Sequence, residues 1–228
     1  MYFGICLLQT RRSDNEYLEK QHHTGNPGNQ QIYMNIKITQ RLNLNSKKST
    51  LYAADVVQKG GIIVYPTDTL YGFGVDAKNK SAINKLNKIK GRKGPISVIM
   101  KDIETVISCA KIDNNQAQII RKNLKGYTTI ILPVKSGVVD KSIMGKDETL
   151  GVRLPNHKFA QNICQIIDRP ITTTTVNRSG KKPLNDPKKI FDLFNGEFDL
   201  LIDDGKNNYL KGSTIYKLEN YKLKTIRK

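Results

Sequence analysis

Residues 60–92 read GGIIVYPTDTLYGFGVDAKNKSAINKLNKIKGR. Ile62–Tyr65 is a short apolar run, rich in β-branched residues and bounded by glycine and proline, which predicts a buried strand. Pro66 ends it, because proline has no N–H to give to a sheet ladder. A polar, hydroxyl-rich loop follows, Thr67–Asp68–Thr69, and then Tyr71–Gly72–Phe73–Gly74. A loop at the end of a buried strand is where an α/β sheet usually presents its chemistry. Asn79 or Ser81 then caps a helix with Ile83, Leu86 and Ile89 on one face. The helix stops at Lys90–Gly91–Arg92, two cations separated by a glycine.

The pattern continues on both sides. Met34–Thr39 alternates apolar and polar residues and reads as an edge strand. Asn45 or Ser46 caps a helix with Leu51, Ala54 and Val57, which stops at Gly60–Gly61. Downstream, strands are expected at Ile96–Met100, Thr128–Val134, Leu150–Leu154, Ile171–Thr175 and Leu200–Asp203. Helices are expected at Ile103–Ala110 behind Asp102, at Gln116–Leu124 behind Asp113, after Pro155, and after Asp186–Pro187. Ser213–Leu218 and Tyr221–Ile226 would form a closing hairpin over Glu219–Asn220. Alternating strands and helices imply a layered α/β sheet, with residues 34–228 as one domain and no internal repeat.

The chain has 228 residues, 38 Lys+Arg against 20 Asp+Glu, and a net charge of +18. That balance suits anionic partners such as nucleotides or nucleic acid, and equally the solvated surface of a lysine-rich chain. Cys6, Cys109 and Cys164 are sparse and form no CxxC pair, which argues against a common zinc site and for a reducing cytoplasm. No apolar run approaches membrane-spanning length. Residues 1–33 have loop composition, and their apolar run precedes Arg11–Arg12, the reverse of a signal peptide. They read as a poorly structured extension, with Met34 as the expected natural start and the adjacent His22 and His23 as solvated loop residues.

YPTDTLYGFG with Lys90-x-Arg92 resembles the opening signature of the YrdC-like family, the threonylcarbamoyl-AMP synthases, in its short form. Thr149–Pro155 (TLGVRLP) is similar to the family's T-x-x-V-R-x-P, and Thr172–Gly180 to its S-x-N strand and loop, with Thr175 and Asn177 at the Ser and Asn places. Gly212–Ile215 resembles its G-x-[ES]-S-T-[VI] turn, and Arg227 falls where the family has a late arginine. The resemblance implies a three-layer α/β (α+β) fold: a twisted mixed sheet flanked by helices, with a positively charged cleft. It also implies a reaction. L-threonine and bicarbonate give N-carboxy-threonine, whose carboxylate attacks the α-phosphorus of ATP to yield threonylcarbamoyl-AMP and pyrophosphate. A downstream transferase then modifies an adenosine of tRNA. By the same resemblance Lys90 and Arg92 are the catalytic cations on the phosphates. Thr149, Thr175, Asn177 and Arg227 hold ATP. Thr69, Arg153, Thr173 and Ser213 hold L-threonine, Arg153 through the carboxylate. Mg²⁺ comes with ATP, near Thr175 and Asn177 and with no direct protein ligand expected.

These residue types suit the task, since in-line phosphoryl displacement is mostly positioning and charge stabilisation. Each also has a simpler reading. Cations at a helix C-terminus complement the helix dipole, Thr172–Thr175 has plain strand propensity, and Ser213 after Gly212 suits a turn. Asp68 has the chemistry of a general base, but the expected role is a cap on its own loop. The chain departs from the family pattern at Thr175 (usually Ser), at Lys125–Gly126–Tyr127 (often Pro-Gly-Pro), at Gly94 and at Ile99, where a family His touches threonine. A non-catalytic double-stranded RNA or tRNA-binding module is the competing reading, weakened by the absence of Trp and of a clustered set among the 10 Tyr. A carbamoyl-transfer module of hydrogenase maturation factors is a third, from which the extra domains are missing.

Overall fold

The computed structural model describes residues 39–208 and 211–228. The expected extension at 1–33, the Met34 start, Cys6, His22, His23 and all but the last residue of the Met34–Thr39 strand lie outside them. The described elements are β1 (Gln40–Asn43), α1 (Ser49–Gln58), β2 (Ile63–Tyr65), β3 (Gly72–Gly74), α2 (Lys80–Lys90), β4 (Ser97–Ile99), α3 (Ile103–Cys109) and α4 (Asn114–Asn123). They continue with β5 (Thr128–Pro133), β6 (Thr149–Arg153), α5 (Lys158–Ile167), β7 (Ile171–Thr175), α6 (Pro187–Phe194), β8 (Leu200–Asp203), β9 (Thr214–Glu219) and β10 (Lys222–Arg227).

The strands form one 10-stranded mixed sheet in the order β1-β8-β2-β3-β7-β4-β6-β5-β9-β10. Successive side chains point to opposite faces, so each buried strand feeds two cores. Ile63, Tyr65, Ile99 and Leu200 pack under α1 and α5, against Ala53, Val57, Phe159 and Ile163. Val64, Phe73, Val98, Val152 and Leu201 pack on the other face, with Ile83 and Leu86 of α2, Val106 of α3, Ile120 of α4 and Phe194 of α6. Helix layers on both faces of a mixed sheet are the expected three-layer architecture.

Caps follow the polar side chains in most places. Asn79, not Ser81, caps α2 by accepting from Ala82 N at 3.0 Å. Asp102 caps α3, Asp113 and Gln116 form a reciprocal capping box on α4, and Asp186 caps α6 behind Pro187. Helix α1 is a correction. It starts at Ser49 behind Lys48 with no side-chain cap, and Asn45 and Ser46 belong to the turn that leaves β1. The last hairpin turns over Asn220–Tyr221, one residue later than expected, with both residues at positive φ, 43° and 63°. That backbone matches the twist of the flanking strands, and asparagine tolerates it best.

Strand β3 was not expected from its sequence. Gly-Phe-Gly has little strand propensity, yet Gly72–Gly74 pairs antiparallel with both β2 and β7. Gly74 is there for space, while a Cβ on Gly72 would make only an ordinary contact. A Cβ on Gly74 would lie 2.7 Å from Tyr65 Cε1, and one on Gly72 would lie 3.4 Å from Thr173 Oγ1.

Candidate functional site

Helix α2 ends in a Schellman motif. Gly91 takes a left-handed φ of 66°, its N–H bonds Lys88 O at 3.1 Å, and Arg92 N–H bonds Asn87 O at 3.2 Å. The reversal sends the two flanking cations to different places. Lys90 is buried, and its Nζ donates to Thr175 O and Asn177 Oδ1, each at 2.6 Å. Arg92 is exposed and has no hydrogen-bond or ion-pair partner among the described residues. Burial, with the Arg92 charge beside it, pulls the Lys90 ammonium down to about 8.

Arg92 lines a cavity of ≈ 230 Å³ at the centre of the sheet. Its other walls come from Thr69–Gly72, Pro95–Ser97, Thr129, Arg153, Thr173–Thr175, Gly212–Ser213, Ile215 and Arg227. Strand register builds it. Ser97 pairs with Thr173, Thr129 with both Arg153 and Ile215, and Gly72 with Thr175. Of the ten sequence-predicted residues, Thr69, Arg92, Arg153, Thr173, Thr175, Ser213 and Arg227 line the cavity, while Lys90, Thr149 and Asn177 do not. Thr149 Oγ1 instead donates to Lys146 O at 2.8 Å. Ser213 Oγ lies 2.6 Å from Thr129 Oγ1, and Arg227 Nη2 donates to Ser213 O at 3.0 Å, which ties the end of β10 to the rim. Arg92, Arg153 and Arg227 supply the charge, and no Asp or Glu is among the lining residues. This is the expected positive cleft.

Arg153 ends β6 with only 6 % of its side chain exposed. Its Nη2 donates to Asp68 Oδ1, its Nη1 reaches Thr67 Oγ1 at 3.5 Å, and its Nε is buried without a partner. Burial opposes its charge, and the Asp68 carboxylate is the largest influence that favours it. Here the structure corrects the reading of Asp68. Its other oxygen accepts from Asn156 N at 2.8 Å, so it bridges to Arg153 and to the turn after β6 rather than capping its own loop. Thr67 does the capping, accepting from Thr69 N at 3.1 Å and donating to Leu70 O at 2.8 Å. Nothing in the local sequence marks Asp68 as the partner of a residue 85 positions away.

A second cavity of ≈ 450 Å³ lies behind the same loop, lined by Pro66–Asp68, Tyr71, His157 and residues 204–208. His157 Nε2 is 3.4 Å from Asp204 Oδ2, and its Nδ1 is buried without a partner. Ile99, at the place of the family His, is fully buried under α5 and faces neither cavity.

Thr175 Oγ1 donates to Asn177 Oδ1 at 2.7 Å. Both are hard oxygen donors of the kind Mg²⁺ prefers. The same Asn177 oxygen already accepts from the Lys90 ammonium, and a cation there opposes a dication. The pair does not fit Mg²⁺ as direct ligands, and among the described residues no cluster of three or more His, Cys, Asp or Glu could hold a metal. Among the described residues no helix is long and apolar enough to cross a membrane.

The central cleft gathers arginines and hydroxyls within an α/β sheet, a lining whose chemistry suits small anionic ligands. Comparison with known proteins gives the family. Residues 55–228 match the Sua5/YciO/YrdC family model, described as "Telomere recombination", and the chain belongs to that family. A Methanocaldococcus jannaschii protein named "Putative threonylcarbamoyl-AMP synthase" is 34% identical over 194 residues, 84% of this chain and 91% of its own length. A Pyrococcus abyssi protein named threonylcarbamoyl-AMP synthase is 30% identical over 172 residues, 74% of this chain, which spans 50% of that relative. The solved structure of P. abyssi Sua5 complexed with L-threonine is 27% identical, with a TM-score of 0.72 over 83% of this chain and 56% of that one.

Proposed function

We propose that this protein makes L-threonylcarbamoyladenylate from L-threonine, bicarbonate and ATP, acting as a nucleotidyltransferase. The observation that carries the reading is the buried Arg153, a cation on the wall of a cavity lined by no Asp or Glu, whose one carboxylate partner, Asp68, lines the neighbouring cavity and whose Nε has no partner. An unsatisfied buried donor is costly, and a guanidinium is shaped for a carboxylate. A threonine carboxylate in this cavity is a ligand that such a guanidinium suits. The names of the two relatives and the L-threonine in the P. abyssi Sua5 structure support the same substrate.

The threonine amine adds to the carbon of bicarbonate with loss of water, giving N-carboxy-threonine. One oxygen of the new carboxylate attacks the α-phosphorus, and the bond to the bridging oxygen of pyrophosphate breaks. Thr69, Ser213 and the main chain of Thr173 hold the amino acid. Arg92 and Arg227, exposed at the mouth, meet the phosphates. Lys90 acts one step back, by fixing Thr175 and Asn177 at the nucleotide side. Mg²⁺ arrives on the nucleotide. The product is a mixed anhydride that a threonylcarbamoyl transferase passes to an adenosine of tRNA. Cys109 and Cys164 are free thiols, which supports a reducing, cytoplasmic setting.

The test is pyrophosphate release from ATP with threonine and bicarbonate added separately and together. Release is expected only with both. Release that needs neither refutes the synthase reading. The domain limits, 34–228 behind a separate 1–33, belong to the same proposal. N-terminal sequencing of the native protein tests them, and an intact Met1 terminus removes Met34 as the start.

A further inference from the structure

The wall between the two cavities is an ion pair. Arg153 lines the central cavity, Asp68 lines the one behind it, and the two side chains are 6 % and 8 % exposed. Oδ1 of Asp68 holds Arg153 Nη2, and Oδ2 holds Asn156 N. The arginine that would bind a carboxylate is thus already bound to one. Asp68 is also held from the far side, by the N–H of Asn156 in the turn after β6.

We infer that Asp68 is a resident counter-ion of Arg153 and sets how tightly the site holds the carboxylate of its amino acid. The inference rests on the proposed function. In the free protein Asp68 supplies the charge a buried guanidinium requires. An incoming α-carboxylate competes with it for the same cation, so part of the binding free energy goes into loosening the resident pair. The pair keeps Arg153 charged and oriented, with one guanidinium nitrogen, the buried Nε, still without a partner. Asp68 is a positioning residue: it acts on the substrate through Arg153.

The sign of its effect separates this role from a structural one. Asp68→Asn keeps the size and one acceptor oxygen but removes the charge, leaving Arg153 without a full counter-ion until a ligand brings one. Calorimetric titration of the full chain with L-threonine should show Asp68→Asn binding on the order of 10-fold tighter than wild type. L-threoninamide, which has no carboxylate, should show no such gain. In thermal melts, saturating threonine should raise the Tm of Asp68→Asn by more than it raises that of wild type. A gain cannot come from damage to the site, which only weakens binding, and equal or weaker threonine binding by folded Asp68→Asn overturns the inference. Should Asp68→Asn not fold, Asp68→Glu keeps the charge and should stay within about threefold of wild type; a 10-fold gain there overturns it as well. Wild type that binds no threonine at all removes the proposed substrate, and the inference with it. Failure confined to the variants leaves the substrate standing.

Discussion

Gly91 decides what the two cations of the signature do. Its left-handed turn leaves Lys90 inside, bonded to β7 and the loop beyond it, and Arg92 outside at the cavity mouth. Arg92→Ala should therefore cut pyrophosphate release by about 10²-fold, the scale for removing a group that stabilises developing charge. Urea unfolding should barely change, because Arg92 is exposed and makes no contact that the fold needs. A fully active Arg92→Ala would reduce the residue to a helix-end cation. Lys90 predicts a pH effect instead. Its folded-state value, about 8, lies below the ordinary 10.5. Between the two, the unfolded chain holds a proton that the folded chain has released, so this group's contribution to stability rises with pH across that window. In the folded protein its charge is lost as pH rises through about 8, and ATP-dependent activity should fall there. Lys90→Arg, charged throughout, should move that limb to higher pH in a pH–rate profile. A limb that stays in place belongs to another group.

Strand β3 shows an element whose neighbours, not its composition, make it a strand. Tyr65 is fully buried, and its hydroxyl donates to Thr172 O at 3.1 Å, so its ring has little freedom to yield. Gly74 passes over that ring at a distance no Cβ tolerates. Gly74→Ala should destabilise the protein by about 1–3 kcal/mol, as overpacking in a rigid core does. Its backbone is not in the left-handed region, so the cost would be steric alone. Chemical denaturation measures it, and a change under about 0.5 kcal/mol would mean that Tyr65 moves aside. The loop before β3 is set in the same way: Thr67 ties its own turn while Asp68 reaches across to β6.

At the level of the whole molecule, the sheet order brings together strands far apart in the chain. β7 sits between β3 and β4, and β5 between β6 and β9. That order places the loop after β2, the segment after α2, the end of β6 and both ends of the last hairpin around one cavity. The net charge of +18 is spread well beyond it, and most lysines serve as solvated surface. The cavity's own charge comes from Arg92, Arg153 and Arg227.

Local signals were enough for most of the elements. The periodicity of α2, the caps at Asn79, Asp102, Asp113 and Asp186, the β-branched runs of β5 and β7 and the short apolar run of β8 depend on residues within a few positions of each other. The colinear motifs likewise pointed to seven residues that line the cavity and to three, Lys90, Thr149 and Asn177, that do not. What depended on partners far along the chain was not legible. The propensity of Gly-Phe-Gly could not reveal that β2 and β7 would close on it from both sides. No spacing rule could separate Lys90 from Arg92 before the αL turn and the acceptors at Thr175 and Asn177 were in place. Asp68 read as a loop cap because its local chemistry allows one. Only folding, which buries Arg153 beside it, makes pairing the stronger interaction, since two buried charges must neutralise each other where exposed ones need not.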